Sequence, residues 1–227
     1  MKPTYLSWSG GKDATLALDS LKNNPRYHIA GLLTTANDHY GRVSMHGLRM
    51  ELVEEQAEKL GLPLEVVRLP KEVDYDIYER EMKRSMNKLS SEGIEAIAFG
   101  DIFLEDLKKY REQMLSACGL EGIYPLWGQD TRELSNYFIN KGYRSKVIVI
   151  NGTKLEDAYV GREYDASFLN DLPDGIDPCG ENGEFHSFVY DGPLFSQAVT
   201  FKTGEVQVRH YGGEESNRAV FCDVIPG

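Results

Sequence analysis

Residues 5–21 read YLSWSGGKDATLALDSL. The apolar run over 4–8 is a candidate buried strand. From 12 to 22, Ala14, Ala17, Leu18 and Leu21 recur at helical spacing. Between them lie two adjacent glycines, a lysine and an aspartate. A strand that turns sharply into a helix at the start of a chain is the first half of a βαβ unit. Whether the chain is an α/β protein then depends on whether the alternation continues.

It does. Pro25 ends the first helical region, and HIAGLLTT at 28–35 reads as a second strand. Met50, Val53, Ala57 and Leu60 mark a helix, closed by Gly61-Leu62-Pro63. LEVVRL at 64–69 is a third strand. Tyr75, Tyr78, Met82, Met86 and Leu89 mark a long helix. IEAIAFG at 94–100 is a fourth strand, followed by a helical stretch over 103–117. A helix over 130–141 precedes SKVIVI at 145–150, the expected fifth strand. Near-continuous apolar strands alternating with helices call for a mostly parallel sheet with helices on both faces.

After residue 150 the texture changes. Residues 151–184 are rich in Gly, Asp, Asn and Pro, with one helical candidate over 156–171. Four strand-like runs follow: EFHSFVY, AVTFKT, EVQVRHY and AVFCDVI. The expected organisation is an α/β part over 1–150 and a smaller C-terminal α+β region over 151–227.

Composition narrows the function classes. Apolar residues make up 41% and charged residues 27% of 227, as in ordinary globular proteins. No run of about 18 apolar residues predicts a membrane span, and the N-terminus lacks the pattern of a secretory signal. A cytoplasmic protein is expected. Cys118, Cys179 and Cys222 form no CxxC pair, so no zinc ribbon or disulfide framework is indicated. The net charge is −11. Nucleic-acid binding draws its affinity from basic clusters, and none stands out, so no nucleic-acid partner is expected. An anionic small substrate remains compatible, because a local pocket can oppose the global charge.

The glycine loop sits where open parallel sheets bind ligands, beyond the carboxyl end of a strand. Its glycines let backbone approach an oxyanion, and the helix N-terminus offers N–H groups and partial positive charge. Ser9 supplies a hydroxyl, Lys12 an ammonium, and Asp13 a brace for the loop or a group for magnesium. The plain alternative is a tight turn with an exposed lysine. Both the Walker spacer and the G-x-G-x-x-G fingerprint are absent, which disfavours phosphoryl transfer between the β and γ positions.

Ser9-Gly10-Gly11-Lys12-Asp13 resembles the SGGxD pyrophosphate loop of the ATP pyrophosphatases with a HUP-type fold. The resemblance implies a five-stranded parallel sheet, ATP as the nucleotide, and cleavage between the α and β phosphates. Many members carry Ser after the Asp. Here Ala14 stands there, and Thr15 follows as the nearest hydroxyl.

A second signature is DGIDPCGENGEFHSFV at 174–189. Strand alternation from Glu184 would put Glu184, His186 and Phe188 on one face. Four readings of the residues stay open. Cys179, Glu181 and His186 could ligate a metal, although C-x-E-x4-H is not a recurring zinc spacing. Cys179 could be a nucleophile paired with His186. The segment could be an acidic glycine-rich loop with a core histidine. Or it could be a polar substrate or magnesium site against the phosphate loop.

GIDPCGENGEFHSFV also looks like the hallmark of the diphthine–ammonia ligase family. The match extends to Met45-His46 ahead of a helix with LGLPL, FGDI at 99–102, PLWG at 125–128 and DAYVGR at 157–162. The resemblance implies an ATP-dependent ligase that adenylates a carboxylate and amidates it with ammonia, releasing AMP and pyrophosphate. The implied acceptor is diphthine on elongation factor two, or a small-molecule carboxylate in a bacterial source. Ammonia would come free or from a separate partner.

By the same resemblance, Ser9, Gly10, Gly11 and Lys12 cradle the leaving phosphates, with Asp13 and Thr15 completing the loop. Gly100 and Asp101 approach the nucleotide, with Asp101 a candidate magnesium ligand. His46 contacts nucleotide or substrate. Glu181, Asn182, Glu184 and His186 face the acyl-adenylate or ammonia, and Glu184 or His186 takes the proton ammonia loses. Cys179 lies beside the substrate, and Arg162 receives a phosphate or carboxylate. The rival readings are a thiolating relative that uses Cys179, and a nucleotide-binding sensor that performs no catalysis.

Overall fold

The computed structural model describes residues 1–44, 47–210 and 218–227. Its first sheet is built from β1 (Lys2–Ser7), β2 (Tyr27–Asn37), the two-residue β3 (Arg42–Val43), β4 (Leu64–Leu69), β5 (Ala96–Ala98) and β6 (Glu121–Ile123). The parallel strands run in the order β4-β2-β1-β5-β6, and β3 adds antiparallel to β2. β2 and β5 follow in the chain on opposite sides of β1. The order therefore reverses there, and the crevice past the ends of β1 and β5 is the switch point. This mixed α/β arrangement is consistent with the expected HUP-like fold.

The helices are α1 (Lys12–Lys22), α2 (Met50–Leu60), α3 (Tyr75–Ser91), α4 (Glu105–Ser116), α5 (Thr131–Asn140) and the short α6 (Ala166–Asp171). Strand alternation assigns them to two faces. Leu6, Leu32, Ala96 and Ala98 pack with α1 and α2 in one core. Leu33, Ile97 and Phe99 pack with α3 and α4 in the other. Both faces of the sheet are thereby covered, as a parallel sheet of apolar strands requires.

The second sheet is antiparallel: β7 (Arg144–Asn151), β8 (Phe185–Asp191), β9 (Phe201–His210) and β10 (Arg218–Pro226), in the order β8-β7-β10-β9. Here the structure corrects the sequence reading. SKVIVI lies in this sheet, paired with β8 and β10. The fifth parallel strand is Glu121–Ile123, which pairs with β5. Three residues around Gly122 carry too little apolar pattern to signal a strand.

Two further differences have local causes. The helical candidate over 156–171 divides into a 3-10 turn at Asp157–Tyr159 and α6. Between them Gly161 adopts φ +81 and donates to the Val147 carbonyl at 2.7 Å, and 162–164 runs along β7. The end of AVTFKT and the EVQVRH of the next run merge into β9 (Phe201–His210), continuous through Gly204; Tyr211 lies outside the described residues. A Cβ at Gly204 would lie 3.0 Å from the Ile225 side chain of β10.

Candidate active site

β1 ends at Ser7, and α1 begins at Lys12. In the intervening turn Gly10 adopts φ +82, a conformation side chains other than glycine rarely take. A Cβ there would meet Leu48 at 2.6 Å and Gln56 at 2.8 Å. Gly11 is extended (φ −96, ψ 178), and a Cβ on it would lie 3.0 Å from the Ser187 carbonyl. Gly100 is closer still to backbone: its Cβ would lie 2.8 Å from the carbonyl carbon and oxygen of Asp13. The three glycines let the first helix, the loop after β5 and the second sheet converge on one turn.

The turn is hydrogen-bonded to the hallmark segment. Val189 of β8 donates its amide to the Gly10 carbonyl at 2.9 Å. Gln56 of α2 donates to the Gly10 carbonyl at 3.0 Å and to the Val189 carbonyl at 2.6 Å, and accepts from the Trp8 indole at 2.9 Å. The Ser187 hydroxyl accepts from the Lys12 amide at 3.2 Å, and the Ser9 hydroxyl from the Gly11 amide at 3.3 Å. The carbonyl side of the turn is thus occupied by protein donors. Among the described residues, the Gly11 and Lys12 amides are held by these two long bonds to hydroxyls. Thr15 points inward and donates to the Gly11 carbonyl at 3.0 Å.

Lys12 is 2% exposed. Its ammonium donates to the Cys179 carbonyl and to Asp13 Oδ2 at 2.9 Å. It also lies 5.2 Å from the Phe185 ring centroid and 5.7 Å from that of Tyr164. Burial opposes its charge, but Asp13 and the other neighbouring acids outweigh that cost and the net shift is upward. The lysine read as exposed under the plain alternative is therefore buried and charged.

Carboxylates gather around it. Asp13 Oδ1 is buried and has no hydrogen-bond partner among the described residues. Glu181 accepts from the Ile102 amide at 2.7 Å, which places it just beyond β5. Burial raises the Glu181 carboxyl to about 7, against the Ile102 bond and with support from Asp13. Asp101 pairs with Arg111 of α4, and burial raises it despite that partner.

The remaining expected residues divide in two. Glu184 is buried, with Oε1 3.5 Å from the Lys154 ammonium and Oε2 lacking a hydrogen-bond partner among the described residues. Burial, helped by Lys12, lowers His186 to about 4, so its imidazole is neutral at pH 7. Asn182 is exposed, and its carbonyl accepts from Lys154 at 3.0 Å. Cys179 is 1% exposed beside Ser135 and the Thr131 carbonyl, and burial pushes its thiol up to about 12. Arg162 pairs with Asp171 at 2.7 Å and lies over the Tyr159 and Phe168 rings. His46 falls outside the described residues.

Sequence reasoning missed Gln56, Ser187 and Tyr164. Gln56 had a signal: it interrupts the apolar stripe of Val53, Ala57 and Leu60, where a polar side chain needs a buried partner. Tyr164 had none, because its hydroxyl reaches Ser135 and the Pro178 carbonyl, both at 2.7 Å, through tertiary contact alone.

Among the described residues no group of three or more His, Cys, Asp or Glu side chains is placed to hold a metal. A magnesium ion that arrives with a nucleotide needs only one or two protein carboxylates. The unsatisfied Asp13 Oδ1 and the nearby Asp101 fit that smaller requirement. No helix among the described residues is long and apolar enough to cross a membrane.

Comparison with known proteins gives the family. Residues 1–122 match the diphthamide synthase N-terminal domain, and residues 130–219 the diphthamide synthase C-terminal domain. A diphthine–ammonia ligase of Schizosaccharomyces pombe is 25% identical over 63% of this chain and 25% of its own length. The Homo sapiens diphthine–ammonia ligase is 28% identical over 52% of this chain and 46% of its own. That of Danio rerio is 23% identical over 88% and 86%. The first two matches thus span a quarter and just under half of those relatives. With both domain matches in order along it, the chain belongs to the diphthamide synthase, or diphthine–ammonia ligase, family.

Proposed function

We propose that this protein is an ATP-dependent, AMP-forming ligase that adenylates a carboxylate and converts it to an amide with ammonia, as in the step from diphthine to diphthamide. The observation that carries the reading is the bond from Val189 to Gly10, reinforced by Gln56. It joins the phosphate-type turn to the hallmark segment, so a nucleotide on one and an acceptor on the other would be neighbours. Family membership and the names of the relatives support the same reaction.

The chemistry follows from the carboxylate. Its oxygen is a poor leaving group, and transfer of AMP makes that oxygen part of a phosphate that can leave. The residues assigned to the departing pyrophosphate are the Gly11 and Lys12 amides with the Ser9 and Ser187 hydroxyls. Those hydroxyls now accept long bonds, and rotation lets them donate to an anion at the helix N-terminus. Preorganised donors of this kind stabilise charge developing on the leaving group. Magnesium would neutralise phosphate charge, with Asp13 and Asp101 as its protein ligands. Gly100 keeps the approach beside Asp13 narrow.

Glu181, rather than Glu184 or His186, is the preferred proton acceptor for ammonia. It stands at the switch point, and its carboxyl at about 7 exchanges a proton near neutrality. Neutral His186 at about 4 is a weak base. Cys179 contributes its carbonyl, and its buried thiol argues against the thiolating alternative. We assign the nucleotide to the parallel-sheet part and the acceptor to the C-terminal part. The acceptor is diphthine on elongation factor two or a small carboxylate, and the nitrogen donor is ammonia.

The test is a reconstitution with ATP, magnesium, ammonium and elongation factor two carrying diphthine. AMP and pyrophosphate should form in proportion to amide and require all four components. ATP bound without AMP formation would favour a sensor. ADP as the product would sink the adenylation step.

A further inference from the structure

The ammonium of Lys12 is buried and donates to the Cys179 carbonyl and to Asp13. We infer that the Lys12 side chain is a positioning group: its ammonium ties the 177–181 loop onto the first turn of α1 and does not bind phosphate. The inference rests on the reading that the turn at 9–11 receives a nucleotide, and it gives this lysine a different task from the one its place in SGGKD suggests.

The geometry carries it. A fully buried lysine requires partners, and Lys12 has them. Its ammonium donates to the Cys179 carbonyl and to Asp13 Oδ2 at 2.9 Å, with the Phe185 and Tyr164 rings beside it. Drawing the ammonium out to a phosphate would mean giving up the Cys179 bond and the two rings. It would also leave the Cys179 carbonyl unsatisfied in a buried position, which is costly.

The loop it holds is rigid in itself. Gly180 donates to the Asp177 carbonyl at 2.8 Å, and Glu181 donates its amide to Asp177 Oδ2 at 2.8 Å. Gly180 adopts φ +70, and a Cβ there would lie 2.8 Å from the Phe185 carbonyl. A second strut, the Tyr164 hydroxyl, binds the Pro178 carbonyl at 2.7 Å. A braced loop fixed at consecutive carbonyls can deliver the next side chain accurately. That side chain is Glu181, which reaches the Ile102 amide across the switch point. Lys12 thereby couples the turn that would hold phosphate to the carboxylate that would act on the acceptor.

The experiment compares wild type with Lys12→Met and Lys12→Gln by three readouts: ATP affinity with magnesium by calorimetry, amide hydrogen exchange over 177–184, and the split between kcat and KM for AMP formation. In Lys12→Met we expect ATP affinity to stay within about threefold. Exchange over 177–184 should accelerate about tenfold or more, and kcat should fall about tenfold with KM for ATP nearly unchanged. A lost charge-assisted contact to phosphate would instead weaken ATP binding by about tenfold or more. That loss, or unchanged exchange over 177–184, overturns the inference. Lys12→Gln retains a donor and decides the same measurements should the methionine variant not fold. The two readings fail separately: if wild type binds ATP but makes no AMP, the proposed reaction falls, and affinity and exchange still decide the role of Lys12.

Discussion

The amide of Val189 donates to the carbonyl of Gly10 at 2.9 Å. β8 is the edge strand of the second sheet, and this bond occupies part of its free edge. An exposed strand edge offers unpaired donors and acceptors to any passing chain. Here the turn after β1 takes them up, and the two sheets meet at the candidate site.

Gln56 secures this junction from α2 with three hydrogen bonds, all buried. Gln56→Leu keeps the volume but strands the Trp8 indole and the Val189 carbonyl. The expected loss is about 2–4 kcal/mol of stability. Urea unfolding should show a lower midpoint, and a loss below about 0.5 kcal/mol would contradict the account.

Gly100 has no room for a methyl group, because the atoms facing it are Asp13 backbone. Gly100→Ala should push the loop after β5 away from α1 at a cost of about 1–3 kcal/mol. Thermal denaturation reads the destabilisation. Retention of the wild-type melting temperature would show that the contact relaxes freely.

Two titrating groups give opposite pH dependences. His186 is lowered from 6.5 to about 4, so its contribution to stability is present above pH 6.5 and lost as pH falls toward 4. Glu181 is raised from 4.5 to about 7, so its contribution is full below pH 4.5 and lost as pH rises through about 7. His186→Gln should therefore flatten the acid side of the stability profile. Glu181→Gln should gain on wild type between pH 5 and 8. Chemical denaturation across that range checks both, and parallel profiles for wild type and both variants would refute the assignments.

Cys179 should be inert in the native state, since burial holds its thiol near 12 and the side chain is 1% exposed. Mass spectrometry after brief iodoacetamide treatment at pH 7.5 should find it unmodified until denaturant is added. Cys179→Ala should keep the proposed ligase activity, because the backbone carbonyl, rather than the sulfur, meets Lys12. Rapid native alkylation, or loss of activity in a folded Cys179→Ala protein, would revive a role for the thiol.

Helix spacing in α1, α2 and α3 was legible in the sequence because each helix buries one apolar stripe. The first four parallel strands were legible as near-continuous apolar runs. β6 was not, since three residues around Gly122 are too few to carry a pattern. SKVIVI was legible as a strand, but its sheet was not. A strand buried on both faces reads alike in either sheet, and its partners β8 and β10 lie far along the chain.

The sequence by itself determined the alternating α/β start, the glycine turn at its switch point, and the two motifs that mark the family. These are local properties, set by side-chain period, glycine's backbone freedom and residue order. Only the tertiary structure decided where Lys12 points, that Gln56 and Val189 close the turn on its carbonyl side, and that Glu181 reaches Ile102. Those contacts join residues far apart in the chain. Burial then sets their charge and hydrogen bonding, which no local pattern encodes.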